Sequence, residues 1–171
     1  MRTWLALLLS AGCGGAMPRP ATADDSRAVA AVLDDWHAAA AASDEARYFG
    51  HFTSDGVFLG TDATERWDVA AFRAYAHAPF AEGRGWVMRA TRRTIVVEGD
   101  LAWFDEDLET VNLGPARGTG VLRRQDGAWR IAHYNLTITV PNDRFDEVRG
   151  LLASPETPTP ETPTPETEEA P

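Results

Sequence analysis

The apolar positions in the first part of the chain repeat at helical spacing. Residues 24–26 offer N-capping side chains and an acidic first turn, and an apolar stripe predicts an amphipathic helix to about residue 42. The stripe runs at i, i+3, i+4 and i+7 through Val29, Val32, Leu33 and Trp36. A second, short helix is predicted from Asp44. A third is predicted from residue 69 to about residue 77, where Pro79 ends it.

Beyond the third helix the apolar positions alternate with a period of two. A turn at residues 54–56 and a short strand precede that helix, and four long strands follow it. The four strands are predicted at 86–98, 101–113, 117–124 and 128–140. Helices followed by antiparallel strands indicate an α+β fold. Because long strands twist and curl, we expect three N-terminal helices packed on a strongly curved antiparallel sheet, forming a conical cavity suited to a ligand.

The two ends of the chain have patterns that differ from this folded middle. "MRTWLALLLSAGC" predicts a signal peptide over residues 1–12, and its "LSAGC" resembles a bacterial lipoprotein box with Cys13 as the lipidated residue. Residues 13–23 are predicted to be a flexible tether and residues 154–171 a disordered Pro/Thr/Glu-rich tail. The folded domain is then 24–153. We expect export to the bacterial cell envelope and a lipid anchor as the sole membrane contact. The alternatives are a plain cleaved signal peptide, or a cytoplasmic protein whose start codon is assigned too far upstream.

Charge and motif content narrow the function classes. The formal net charge is −10, with five glutamates in the tail, which disfavours a general nucleic-acid binder. A single cysteine excludes an intrachain disulfide. The sequence has no HExxH or Cys/His cluster, no GxSxG and no phosphate-binding glycine loop, so we expect neither a metal nor a cofactor.

Three segments together resemble a known family. They are "FLGTDATERW" at 58–67, "AWFDEDLE" at 102–109 and "GAWRIAHYNLTITVPN" at 127–142. With the order of the elements, they resemble the SnoaL-like branch of the nuclear transport factor 2-like superfamily over about residues 25–145. The resemblance implies the cone-shaped fold. It leaves the activity open, because the superfamily includes isomerases, cyclases, dehydratases, epoxide hydrolases and non-catalytic modules.

Two carboxylates are candidates for acid/base chemistry. Asp62 lies in the hairpin region that holds the catalytic base of ketosteroid isomerases, although the alignment places Leu59 or Gly60 opposite that base, and a turn role for Asp62 is the alternative. Glu106 alternates with Ala102, Phe104 and Leu108, so a core-facing orientation would bury it and raise its pKa. The opposite orientation would place Trp103 and Asp105 at the cavity mouth.

The last strand adds a polar pair. The alternation of Trp129, Ile131, His133 and Asn135 predicts that His133 and Asn135 point into the cavity, where His133 is a candidate proton shuttle. A satisfied structural histidine is the alternative. The other three histidines lie on separate predicted elements without ligand spacing: His37, His51 and His77.

Aromatic residues from several predicted elements indicate a cavity suited to a flat or apolar molecule. We therefore expect a small apolar ligand, with cofactor-free acid/base chemistry by His133, Glu106 or Asp62 as its extension. The competing hypotheses are a non-catalytic envelope module that forms a homodimer through its outer sheet face, and an orphan domain with no ligand. The predicted ligand-binding residues are Trp36, Tyr48, Phe58, Trp67, Tyr75, Trp103 and Asn135.

Overall fold

A computed structural model describes residues 22–153 of the chain. Helix α1 spans Ala23–Ala41 and begins earlier than predicted, because Thr22 caps it. The side chains and backbone amides of Thr22 and Asp25 bond reciprocally as a capping box. The predicted signal peptide, the Cys13 site and the tail lie outside the described residues.

Two further helices follow α1. Helix α2 spans Glu45–Gly50 and helix α3 spans Val69–Ala81, capped by Asp68 as predicted. The prediction that Pro79 ends α3 is wrong, because the helix continues through the buried Phe80. A proline in the last turn removes only one backbone donor, and burial of the following aromatic ring offsets that loss.

Six strands form one sheet. The strands are β1 (Phe52–Leu59), β2 (Arg66–Asp68), β3 (Met88–Glu98), β4 (Leu101–Thr110), β5 (Gly114–Gln125) and β6 (Ala128–Ile138). Their order is β2-β1-β6-β5-β4-β3, and all neighbours are antiparallel except β1 and β6. The α+β prediction, with three N-terminal helices and a curved sheet, is confirmed. The turn predicted at 54–56 lies within β1, where the pairing register with β6 shifts.

Two further register shifts decide which side chains face the core. Ala132 is an extra residue in β6, since Ile131 pairs with Leu122 but His133 pairs with Val121. Thr91 is likewise extra in β3, between Ala90 and Arg92. When alternation is counted along the sequence, an extra residue reverses which side chains point inward from that position onward.

The core lies between the inner face of the sheet and the helices. Helix α1 packs on β3 and β6, and α3 packs on β1. Residues 139–153 form a separate compact unit with a 3-10 turn at Asn142–Arg144 and helix α4 at Phe145–Leu152. No helix within residues 22–153 combines the length and the apolar composition needed to span a bilayer.

Candidate functional site

A cavity of about 190 Å³ lies between the helices and the inner sheet face. Its walls come from α1, α2, α3, β1, β2, β3, β6 and the segments that join these elements. The lining is mostly aromatic, with a few polar groups. The lining residues are Trp36, His37, Ala40, Tyr48, Phe58, Gly60, Thr61, Glu65, Trp67, Phe72, Tyr75, Trp86, Met88, Asn112, Leu113 and Leu136.

Several lining rings are stacked on one another. The Phe72 ring is nearly parallel to that of Trp67 (5°) and to that of Trp86 (11°), and its centroid lies 4.0 Å from that of Phe58. At the outer end, Tyr75 stacks on Trp67 with centroids 4.6 Å apart and is itself 54% exposed. Stacked rings are rigid and apolar, so this wall fits a flat ligand.

One histidine joins this cavity to the protein interior. His37 is buried on α1 and belongs to the cavity lining. It lies four residues after Leu33 and three before Ala40, so it shares the core-facing stripe of the helix. Its Nε2 atom lies 2.7 Å from Oε1 of Glu106. No hydrogen bond to its Nδ1 atom is found among residues 22–153.

Glu106 lies completely buried on β4 and is surrounded by donors. Besides His37, the Tyr134 hydroxyl donates to Oε1 at 3.2 Å and Nε of Arg93 donates to Oε2 at 2.8 Å. Nη2 of Arg93 lies at the same distance from Oε2, but its angle does not meet hydrogen-bond geometry. Arg93 also pairs with Asp34 on α1 at 2.7 Å. The buried carboxylate is therefore fully compensated.

The ionisation of Glu106 differs from the sequence-based expectation. Burial by itself favours a raised pKa for this carboxyl, but the net shift is downward, so the predicted increase is wrong. The hydrogen bond and charge of His37, followed by the charge and hydrogen bond of Arg93, outweigh burial and hold the pKa below its ordinary value of 4.5. Glu106 is thus a fixed anion near neutral pH, and it serves to orient and balance His37.

Two of these partners reach Glu106 because of the register shifts. Arg93 directly opposes Glu106 across β3 and β4, and it faces inward because Thr91 is inserted before it. Tyr134 faces inward because Ala132 is inserted in β6. Burial, followed by the charge of Glu106, raises the pKa of Tyr134 well above its ordinary value, so its hydroxyl remains a donor.

The insertion of Ala132 also corrects the orientation predicted for the last strand. His133 and Asn135 were expected to point into the cavity, but the inward residues of that segment are Tyr134 and Leu136. His133 pairs across the sheet with Val121, and Asn135 bonds to the neighbouring Thr137. Neither His133 nor Asn135 belongs to the cavity lining.

Two other predicted residues also lie away from the cavity. Trp103 is 44% exposed on the sheet face opposite to Glu106, because side chains alternate along β4. Asp62 is exposed, and its Oδ1 accepts from the backbone amide (2.8 Å) and hydroxyl (2.6 Å) of Thr64. These bonds lower the pKa of Asp62, as expected for a turn residue. The remaining predicted ligand-binding residues belong to the lining: Trp36, Tyr48, Phe58, Trp67 and Tyr75.

Sequence reasoning missed His37, Arg93 and Tyr134. A usable signal existed for His37, because a histidine on the apolar stripe of a helix must find a buried partner. Among residues 22–153, no group of three or more His, Cys, Asp or Glu side chains is placed to hold a metal ion. The contact between His37 and Glu106 offers a proton-transfer group backed by a carboxylate beside an aromatic cavity.

Comparison with known proteins identifies the fold. The family model of the SnoaL-like domain matches residues 29–141. An NTF2-like protein of unknown function from Pseudomonas putida KT2440 is 18% identical, with 72% of this chain and 92% of that chain covered and a TM-score of 0.61. No curated protein matches the chain.

Two structures from Novosphingobium aromaticivorans are also similar. One, described provisionally as an aromatic ring hydroxylase, is 19% identical over 71% of this chain and 94% of that chain, with a TM-score of 0.62. The other, described provisionally as a scytalone dehydratase, is 13% identical over 68% of this chain and 85% of that chain, with a TM-score of 0.60. At these identities the likeness shows the fold alone.

Proposed function

Because the chain belongs to the SnoaL-like domain family, whose fold encloses a cavity, we propose that it binds a small, flat, hydrophobic molecule there and transfers protons on it without a cofactor. The supporting observation is the pair formed by His37 and Glu106, in which a cavity-lining imidazole is anchored by a buried carboxylate 2.7 Å away. A histidine so placed is an effective acid/base group.

The chemistry follows from the two ring nitrogens of His37. An ionised carboxylate only accepts hydrogen bonds, so Nε2 of His37 carries a hydrogen that points at Glu106. Nδ1 is then the atom that takes up a proton, and Glu106 stabilises the imidazolium that results. This is the division of roles expected of isomerase- or dehydratase-type catalysis: the histidine moves the proton and the carboxylate orients it.

The binding proposal is tested by a search for a co-purified ligand. Native mass spectrometry of the protein should show an additional small-molecule mass, and Trp67→Ala should lose it because Trp67 forms part of the stacked wall. Trp103→Ala removes the same side chain from the opposite sheet face and should retain the mass. Retention by Trp67→Ala would contradict this binding site.

The catalytic proposal is tested on a ligand found in this way. Exchange of its acidic protons with deuterated water, followed by NMR, should be accelerated by the protein. His37→Gln should slow this exchange by about 10²–10⁴-fold while leaving the ligand bound. Unchanged exchange in His37→Gln would exclude His37 as the acid/base group and leave a binding protein.

The cellular location is part of the same proposal. The sequence "LSAGC" supports export and lipidation of Cys13, which would hold the domain at the envelope. Cys13→Ser should move the protein from the membrane fraction to the soluble fraction. If Cys13→Ser stays in the membrane fraction, Cys13 is not the anchor.

A second candidate function, self-association without catalysis, is favoured by the outer sheet face. There Trp103 pairs in register with Val96 and Val121, and Trp103 and Val96 are 44% and 41% exposed. Sedimentation velocity should then show a dimer that Trp103→Arg converts to a monomer. A wild-type monomer at micromolar concentration would exclude this candidate.

A further inference from the structure

The charge of the cavity lining is one-sided. Of the described lining residues, Glu65 carries a carboxylate, and none is an arginine or a lysine. His37 carries the one titratable nitrogen group of the described lining, and its Nε2 already bonds to Glu106. Seven aromatic rings make up most of the remaining wall: Trp36, Tyr48, Phe58, Trp67, Phe72, Tyr75 and Trp86.

Glu65 is held in place but has no cationic partner among residues 22–153. Its backbone carbonyl accepts from the amide of Gly60 at 2.9 Å, and its side chain accepts from the amide of Asp62 at 3.2 Å. A Cβ atom at Gly60 would overlap the Glu65 side chain, so the glycine lets the carboxylate lie against the backbone. The neighbouring Arg66 is exposed and alternates to the other side of the segment.

We propose that the cavity selects an organic cation, a protonated amine or quaternary ammonium group on an apolar body, over neutral and anionic molecules of the same shape. This inference rests on the proposed binding function and specifies its ligand class. Electron-rich aromatic rings attract cations, most strongly when water is excluded. Glu65 supplies the compensating charge that a partly buried cation requires, whereas an anion would meet a carboxylate and no arginine.

The experiment compares three molecules that share a phenyl ring. Benzyltrimethylammonium is the cation, neopentylbenzene is its neutral isostere with carbon in place of nitrogen, and phenylmethanesulfonate is the anion. Binding is measured by tryptophan fluorescence on the full chain. We expect the cation to bind roughly tenfold more tightly than the neutral isostere, and the anion to bind more weakly than both.

A matched pair of variants assigns the preference to Glu65. Glu65→Gln keeps the shape and should reduce the affinity for the cation roughly tenfold, with the neutral isostere changed less than about twofold. Glu98→Gln makes the same chemical change at an exposed site outside the lining and should alter neither. Far-UV circular dichroism of both variants establishes that they are folded.

The outcomes separate this inference from the function on which it rests. If the neutral isostere binds as tightly as the cation, or if Glu65→Gln leaves the preference unchanged, the charge selectivity is overturned and the apolar cavity remains a binding site. If none of the three molecules binds up to its solubility limit, both the binding function and the selectivity are overturned.

Discussion

Nε2 of His37 and Oε1 of Glu106 lie 2.7 Å apart and connect helix α1 to the centre of strand β4. The contact joins residues 69 positions apart in the chain. It therefore serves the tertiary structure as well as the candidate chemistry, and its removal has measurable consequences for both.

Removal of the Glu106 charge should destabilise the fold. Glu106→Gln leaves the guanidinium of Arg93 and the ring of His37 in the interior without their anion. We expect a loss of about 3 kcal/mol in the free energy of unfolding, at the lower end for buried pairs because Asp34 still contacts Arg93. Urea unfolding of wild type and Glu106→Gln measures this loss in the free energy of unfolding.

The matched control is Glu109→Gln on the same strand. Glu109 forms an exposed pair with Arg89, so its loss should cost less than about 1 kcal/mol. Equal effects of the two substitutions would contradict the special role of the buried pair.

Acid should weaken the same contact. The pKa of Glu106 is lower in the folded state than its ordinary value of 4.5, so the folded state binds this proton less readily than the unfolded chain. The stabilisation is therefore complete above about pH 4.5 and disappears as the pH falls through the lower, folded-state pKa. The measured difference in unfolding free energy between wild type and Glu106→Gln should shrink over that range. A difference that is independent of pH would exclude ionised Glu106 as its source.

Gly118 gives a purely steric test of the site. A Cβ atom there would overlap the Tyr134 hydroxyl and lie 2.9 Å from Oε1 of Glu106. Gly118→Ala should cost about 1–3 kcal/mol by overpacking. Gly50→Ala at the end of α2 meets no atom within 4 Å and should be neutral or stabilising by up to about 1 kcal/mol. Thermal denaturation of the two variants compares them directly.

The orientation of β6 can be checked by ligand binding. Tyr75 is half-exposed yet lines the cavity, so Tyr75→Ala should weaken the binding of neopentylbenzene several-fold with little loss of stability. His133→Ala should leave that affinity unchanged, because His133 lies outside the lining. Weaker binding in His133→Ala than in Tyr75→Ala would contradict the register of β6 with β5.

Much of the fold could be predicted from the sequence because its signals are periodic and local. The stripe that begins at Val29 specifies α1, and Asp68 specifies the start of α3. The parallel pairing of β1 with β6 was not predictable in this way, because it joins residues more than 70 positions apart. Pro79 was misjudged because burial of Phe80 offsets a local penalty.

The candidate site was predictable only in part. The alternation along β4 places Glu106 on its apolar face, and the aromatic residues of several elements indicate the cavity. Arg93 and Tyr134 could not be predicted as partners of Glu106 from the sequence. Alternation is counted along an unbroken strand, and each of these residues follows a bulge. Counting in twos from Ile131 leads to His133, whereas the extra Ala132 brings Tyr134 inward.

The two extra residues, Thr91 and Ala132, have a consequence for how relatives of this protein diverge. Deletion of Thr91 from a related chain would remove the bulge and leave Arg93 opposite Glu106, whereas a strand that kept all its residues but lost the bulge would turn Arg93 outward. A one-residue insertion or deletion in β3 or β6 that no bulge absorbs can thus exchange the polar groups of the cavity with those of the outer surface. Residue-by-residue transfer of catalytic roles between such relatives is sound only after the number of residues in each bulge has been matched.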